Sequence, residues 1–146
     1  MATLTPYSPT DNVISVDSIP MTGFAKGTII EVERHEDQIK LEVGSDGNGC
    51  TVFNPNNSGK ITVHLTQESE SNLALTELYQ AQTIARGRFA FPVSFGQAFG
   101  GSYAGGMCWI TKPAKQEWSG EHTDRTWVFE TLDIDTVIAG GVPLAM

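Results

Sequence analysis

Asp46-Gly47-Asn48-Gly49 begins like a calcium-binding loop, in which oxygen ligands alternate around a tight turn and a carboxylate at the twelfth position closes the sphere. Here Cys50 holds the fifth position and Asn57 the twelfth, so the ligand set fails. Ser58-Gly59-Lys60-Ile61 has the Gly-Lys step of a phosphate-cradling loop, but Ile61 stands where a hydroxyl must reach magnesium and Asn54 where the first glycine belongs. His35, His64 and His122 have neither an HExxH nor a paired-ligand spacing, and zinc chemistry has no support. Glu31 and Glu33 could share acid and base work, yet carboxylates two apart on an exposed strand face are expected to be solvated. Trp109, Trp118 and Trp127 recur every nine residues. In register they would form a sugar-binding platform, but the apolar strands carrying them make core packing the expectation. With no nucleophile, base or metal constellation left, the chain is read as non-enzymatic, with no catalytic residue, metal or cofactor.

The elements that must hold these residues are bounded by composition. The chain has 146 residues and 15.8 kDa, which suffices for one domain around one core. Cys50 and Cys108 lack CxxC spacing, and the N-terminus has no basic region or apolar run, so a reduced, intracellular chain without membrane insertion is expected. Its formal net charge is -8. That argues against gripping nucleic acid through phosphates, which needs a basic face.

Residues 59–87 organise the pattern. Ile61, Val63 and Leu65 alternate with Thr62, His64 and Thr66 as a half-buried strand, and Leu75, Leu78 and Tyr79 then recur at helical spacing. Ser71 or Asn72 is the expected cap, and Arg86-Gly87 closes the helix. Residues 28–43 read as a hairpin turning at Glu36-Asp37, residues 44–58 as a long loop or protruding hairpin, and residues 1–11 as an extended N-terminal arm. Phe89 to Phe95 reads as an edge strand because of Pro92. Gly100 to Gly106 reads as a flexible connection, and the stretches around Trp109, Trp118 and Trp127 as successive antiparallel strands. Residues 134–146 form an apolar tail. Short strands with one helix give a mainly β barrel or sandwich with a flanking α-helix.

The stretch from Asp17-Ser18-Ile19-Pro20-Met21 through Arg34-His35-Glu36-Asp37 resembles the N-terminal signature of a family of bacteriophage structural proteins from contractile tails. Val43-Gly44-Ser45-Asp46-Gly47, Ser58-Gly59-Lys60-Ile61-Thr62-Val63, Gln67 to Asn72 and Trp109-Ile110-Thr111-Lys112-Pro113-Ala114 continue the likeness in order and spacing. The resemblance implies an inner tail tube protein: a β barrel with a flanking helix, assembling as hexameric rings that stack into a channel for genome delivery. It implies a virion location in the tail, with the host cytoplasm as the place of assembly. The implied partners are copies of itself, the tail sheath protein, and the baseplate and tail terminator proteins. The tape measure protein and DNA would occupy the channel without specific binding. On this reading Ile30, Val32, Leu41 and Val43 face the core and Glu31, Glu33, Lys40 and Glu42 the channel. The loop of residues 44–58 would reach the next ring through Asp46, Asn48, Val52, Phe53 and Asn54. Two alternatives stand beside it: the tube of a phage-tail-like secretion or bacteriocin particle, and a monomeric β-sandwich sugar-binding module built on the tryptophans.

Overall fold

A computed structural model describes Leu4 and residues 7–97 and 101–139. In chain order the strands are β1 (Asn12–Val16), β2 (Ile19–Pro20), β3 (Ile30–Arg34), β4 (Ile39–Val43), β5 (Gly49–Phe53) and β6 (Gly59–Thr66), followed by the helix α1 (Ser71–Ile84). Then come β7 (Phe91–Gln97), β8 (Tyr103–Ile110), β9 (Asp124–Thr131) and β10 (Asp135–Val137). The N-terminal arm is not wholly extended, since Pro9–Asp11 form a 3-10 turn held by Ser8. Residues 1–3, 5 and 6 of that arm, and 140–146 of the expected tail, lie outside the described residues.

Alternation along β6 places Ile61, Val63 and Leu65 in the core, and the sheet is built outward from there in the order β2-β1-β7-β8-β9-β6-β3. All of its pairings are antiparallel. The sheet folds so that inward residues of both halves join one cluster, in which Phe91 of β7 meets Phe129 of β9 edge to face at 6.1 Å. Burying each such ring contributes about 1.5–3 kcal/mol. β9 and β10 form one line along β8 with a bulge between them. Thr131 to Asp135 is four steps against three from Cys108 to Gly105. Gly106 permits it, because a Cβ there would stand 2.7 Å from the Asp133 carbonyl.

The helix closes one side of this core through Leu75, Leu78 and Tyr79, as its period requires. Ser71 and Asn72 do not cap it. Glu70 is the N-cap and makes no side-chain cap bond. Ser71 and Asn72 instead tie the first turn to the segment after β2 and to β9: Thr22 N donates to Ser71 Oγ at 2.9 Å, and Trp127 Nε1 donates to Asn72 Oδ1 at 3.0 Å. At the other end Arg86 N bonds the Thr83 carbonyl and Gly87 N the Gln82 carbonyl, with both residues at positive φ.

Four expectations are corrected. Residues 28–43 are not a hairpin, because β3 pairs with β6 and β4 with β5. The chain reverses at Gly44–Asn48 instead, where Gly47 takes φ 88 and Asp46 Oδ1 accepts Asn48 N; Glu36-Asp37 lacks the glycine that a tight hairpin turn favours. Strand β7 is internal, between β1 and β8. Pro92 is tolerated there because its carbonyl, and so its missing N–H, points towards β1 where that strand has already turned away at Asp17. Tyr103 to Gly106 belong to β8 rather than to a flexible connection. Residues 116–119 form no strand and lie in the loop between β8 and β9.

Candidate assembly surface

Strands β3 and β4 on one side, and β5 and β6 on the other, make one long ribbon whose pairing is interrupted at its middle. Arg34 opposes Gly59 and Ile39 opposes Phe53, so five steps on one side meet six on the other, with Pro55 in the longer side. Asn54 stitches the break, its Nδ2 donating to Glu36 Oε2 at 2.8 Å and its N to the Gln38 carbonyl. Beyond the break the hairpin of β4 and β5 forms a separate two-stranded sheet. The expected loop of residues 44–58 is therefore the tip and returning strand of this hairpin.

Strand register puts Ile39, Leu41, Val43 and Phe53 on one face of the hairpin, and they are 68%, 67%, 61% and 67% exposed. The core position expected for Leu41 and Val43 is thus overturned; Ile30 and Val32 do pack against the core from β3. Lys40 and Glu42 occupy the hairpin's opposite face, opposite Val52 and Cys50. Asp46 and Asn48 are bonded to each other at the tip, which holds the Asp46 carboxyl below its usual range. An isolated hairpin is marginal in water, and an uncovered apolar face of this size marks an interaction site.

The outer face of β3, β6 and β9 forms a second surface. Glu31 and Glu33 project from it, as do Lys60, His64, Asp124 and Glu130, by alternation from their core-facing neighbours. Lys60 Nζ meets Glu33 Oε1 at 3.0 Å, and this hydrogen bond raises the lysine above its ordinary value. His64 Nε2 lies 3.8 Å from Glu31, and His35 Nε2 lies 3.8 Å from Glu130. Sequence reasoning found Glu31 and Glu33 but missed Lys60, Asp124 and Glu130. Their polar alternation along β6 and β9 was the available signal. Lys40 and Glu42 do not join this face, being on the other sheet.

The tryptophans do not align. Trp127 is 3% exposed in the core, Trp109 on the neighbouring strand β8 opposes Glu130 and lies half-buried on the other face, and Trp118 is 71% exposed with the Arg125 guanidinium 4.9 Å over its ring. This removes the sugar platform. Arg125, 5% exposed, holds the intervening loop by donating to the Glu117 carbonyl and to Thr123 Oγ1. Cys50 is exposed and Cys108 buried, both as free thiols. Among the described residues no group of three His, Cys, Asp or Glu could hold a metal, and no helix is long and apolar enough to cross a membrane.

Residues 14–139 match the family model described as bacteriophage PhiTE tail tube protein. A structural protein (ORF10) of Pseudomonas phage KPP10 is 38% identical over 80 residues, covering 51% of this chain and 46% of the relative, so the match spans about half of that relative's length. Among solved structures, the cap that terminates the tube of the anti-feeding prophage superposes with a TM-score of 0.58 at 8% identity, over 95% of each chain. That likeness shows a shared fold.

Proposed function

The chain belongs to the bacteriophage PhiTE tail tube protein family, a family of phage tail structural proteins without enzymatic activity, and from that premise we propose that its copies form hexameric rings stacked into the inner tube of a contractile tail. The observation that carries this reading is the projecting hairpin with its uncovered apolar face of Ile39, Leu41, Val43 and Phe53. Such a face favours burial against a neighbour, at about 25 cal/mol per Å². Among the described residues, strands β2 and β3 end the main sheet with unpaired edges, and completing those edges with sister chains removes the hazard they pose.

In the ring, the face carrying Glu31, Glu33, Asp124 and Glu130 lines the channel, while the hairpin tip at Asp46 and Asn48 reaches the adjoining ring with Val52, Phe53 and Asn54 behind it. Four carboxylates against Lys60 leave that face acidic, and it repels DNA phosphates within a screening length of about 8 Å. DNA and the tape measure protein then pass without sticking. The sheath surrounds this tube, and the baseplate and terminator close its ends. Negative-stain electron microscopy of concentrated purified protein tests the reading: rings or tubes of uniform diameter are expected. Material that stays as single molecules at every concentration overturns it.

A further inference from the structure

β6 covers the β9 part of the long line formed by β9 and β10 but not β10 itself. Its first residue, Gly59, opposes Thr131, and the Asn57 carbonyl accepts Ile134 N at 2.9 Å; among the described residues β10 then pairs only with β8. Beside that free edge lies a cleft of about 590 Å³, walled by residues 32–34 and 36–39 on one side and Thr136, Val137 and Ile138 on the other. Its floor is Phe95 and Ala104. These two oppose each other across β7 and β8 on the core side of the sheet, and Thr136 opposes Ala104 in turn. The cleft is therefore a gap in the sheet at which the margin of the core is uncovered. Ile138 is 94% exposed there and Val137 55%.

We infer that this cleft receives the hairpin of β4 and β5 from a second copy of the chain, laid along the free edge of β10; the inference rests on the self-association proposed above. Three observations select that occupant. First, among the described residues β4 pairs only with β5, and it alternates Ile39, Leu41 and Val43 with Lys40 and Glu42. A strand of this pattern sets apolar side chains onto an apolar floor while its charges stay at the rim. Second, Lys40 is the hairpin's one cation, and the rim carries Glu36 and Asp37. Arg34 at the same rim is engaged by Asn57 and the Ile134 carbonyl. Third, the chain's own hairpin cannot fold back into its own cleft. Its first residue, Ile39, already forms part of the wall, and Leu41, Val43 and Phe53 are carried away from it into solvent. Hairpin on one copy and cleft on a copy in the adjoining ring make a heterologous contact, which repeats from ring to ring along the tube.

Leu41→Asp disables the hairpin and leaves the cleft, and Ile138→Asp does the reverse. Both positions are exposed, so folding is unaffected, and matching circular dichroism and melting curves verify it. The inference predicts that each variant alone needs at least a tenfold higher concentration than wild type to assemble. An equimolar mixture forms a one-to-one dimer by native mass spectrometry, the intact cleft of one variant holding the intact hairpin of the other. Assembly of Ile138→Asp at the wild-type concentration, or a mixture that stays monomeric while wild type assembles, overturns the cleft as receptor and leaves the tube reading standing. Wild type that never assembles removes both.

Discussion

Gln82 shows how much one side chain can fix. It sits in the last full turn of the helix, 8% exposed, and its amide donates to the Ile110 carbonyl at 2.6 Å while accepting from Ile110 N at 2.8 Å. A strand end that would otherwise bury two unpaired backbone groups is thereby satisfied from the helix. Nothing in the sequence marks it, since a glutamine in a helix reads as surface. Replacing it with Ala leaves both groups without partners, at about 1–3 kcal/mol each where water cannot reach; urea denaturation should show a loss of about 2–6 kcal/mol. The cysteines separate in the same way. Burial pushes the Cys108 thiol from its ordinary 9.0 up to about 11, whereas Cys50 stands in solvent on β5. Because the folded state holds the Cys108 proton more tightly, its contribution to stability is intact below pH 9 and declines as pH rises from 9 towards 11, where only the unfolded chain releases it. Iodoacetamide at pH 8 should label Cys50 in native protein, and Cys108 only after denaturation, as read by mass spectrometry.

At the level of elements, local patterns were legible and pairings were not. Period-two alternation located β3, β4 and β6, and the change of period located α1, because burial on one face writes itself into the adjacent residues. Which strand pairs with which depends on residues far apart, and there Glu36-Asp37 misled: the stronger turn chemistry of Asp46-Gly47-Asn48 lay nine residues beyond it. The same applies to the candidate surface. Glu31 and Glu33 were visible as a charged face, but Leu41 and Val43 carry a core pattern while facing water, because alternation tells which side chains share a face and not whether that face is covered. The helix end was read correctly in type and displaced by one residue. Arg86 occupies the left-handed position at φ 55, and Gly87 follows at φ 78. Left-handed geometry costs a residue with a Cβ about 1–2 kcal/mol, partly offset by the greater unfolded-state entropy of glycine. Arg86→Gly should therefore raise stability by up to about 1 kcal/mol, measured as a higher urea midpoint with an unchanged slope. A lower midpoint would mean that the arginine makes a compensating interaction with the chain.

At the scale of the whole molecule, net charge -8 is more than a solubility device only if many copies present one face to a common space. The face of β3, β6 and β9 suits that role. Its charges stand on a regular pleat backed by the core, so they hold fixed positions, and the chains of Glu31 and Glu33 are 58% and 62% exposed. Their local pairings are weak supports, because solvent and salt screen an exposed pair such as Lys60 with Glu33. Reversing Glu31 and Glu33 to Lys together should leave folding and tube assembly intact, as judged by melting and electron microscopy. The same change turns four carboxylates against one lysine into two against three, on every subunit around the wall. Repulsion of DNA phosphates then becomes attraction at each step of transit, and DNA ejection from particles built with the variant should slow several-fold at low salt. Added salt should restore part of the rate, because the Debye length falls from about 10 Å at 0.1 M to about 3 Å at 1 M. Ejection that keeps its wild-type rate at low salt places this face away from the channel, and a variant that folds but fails to form tubes places it in a contact between copies instead.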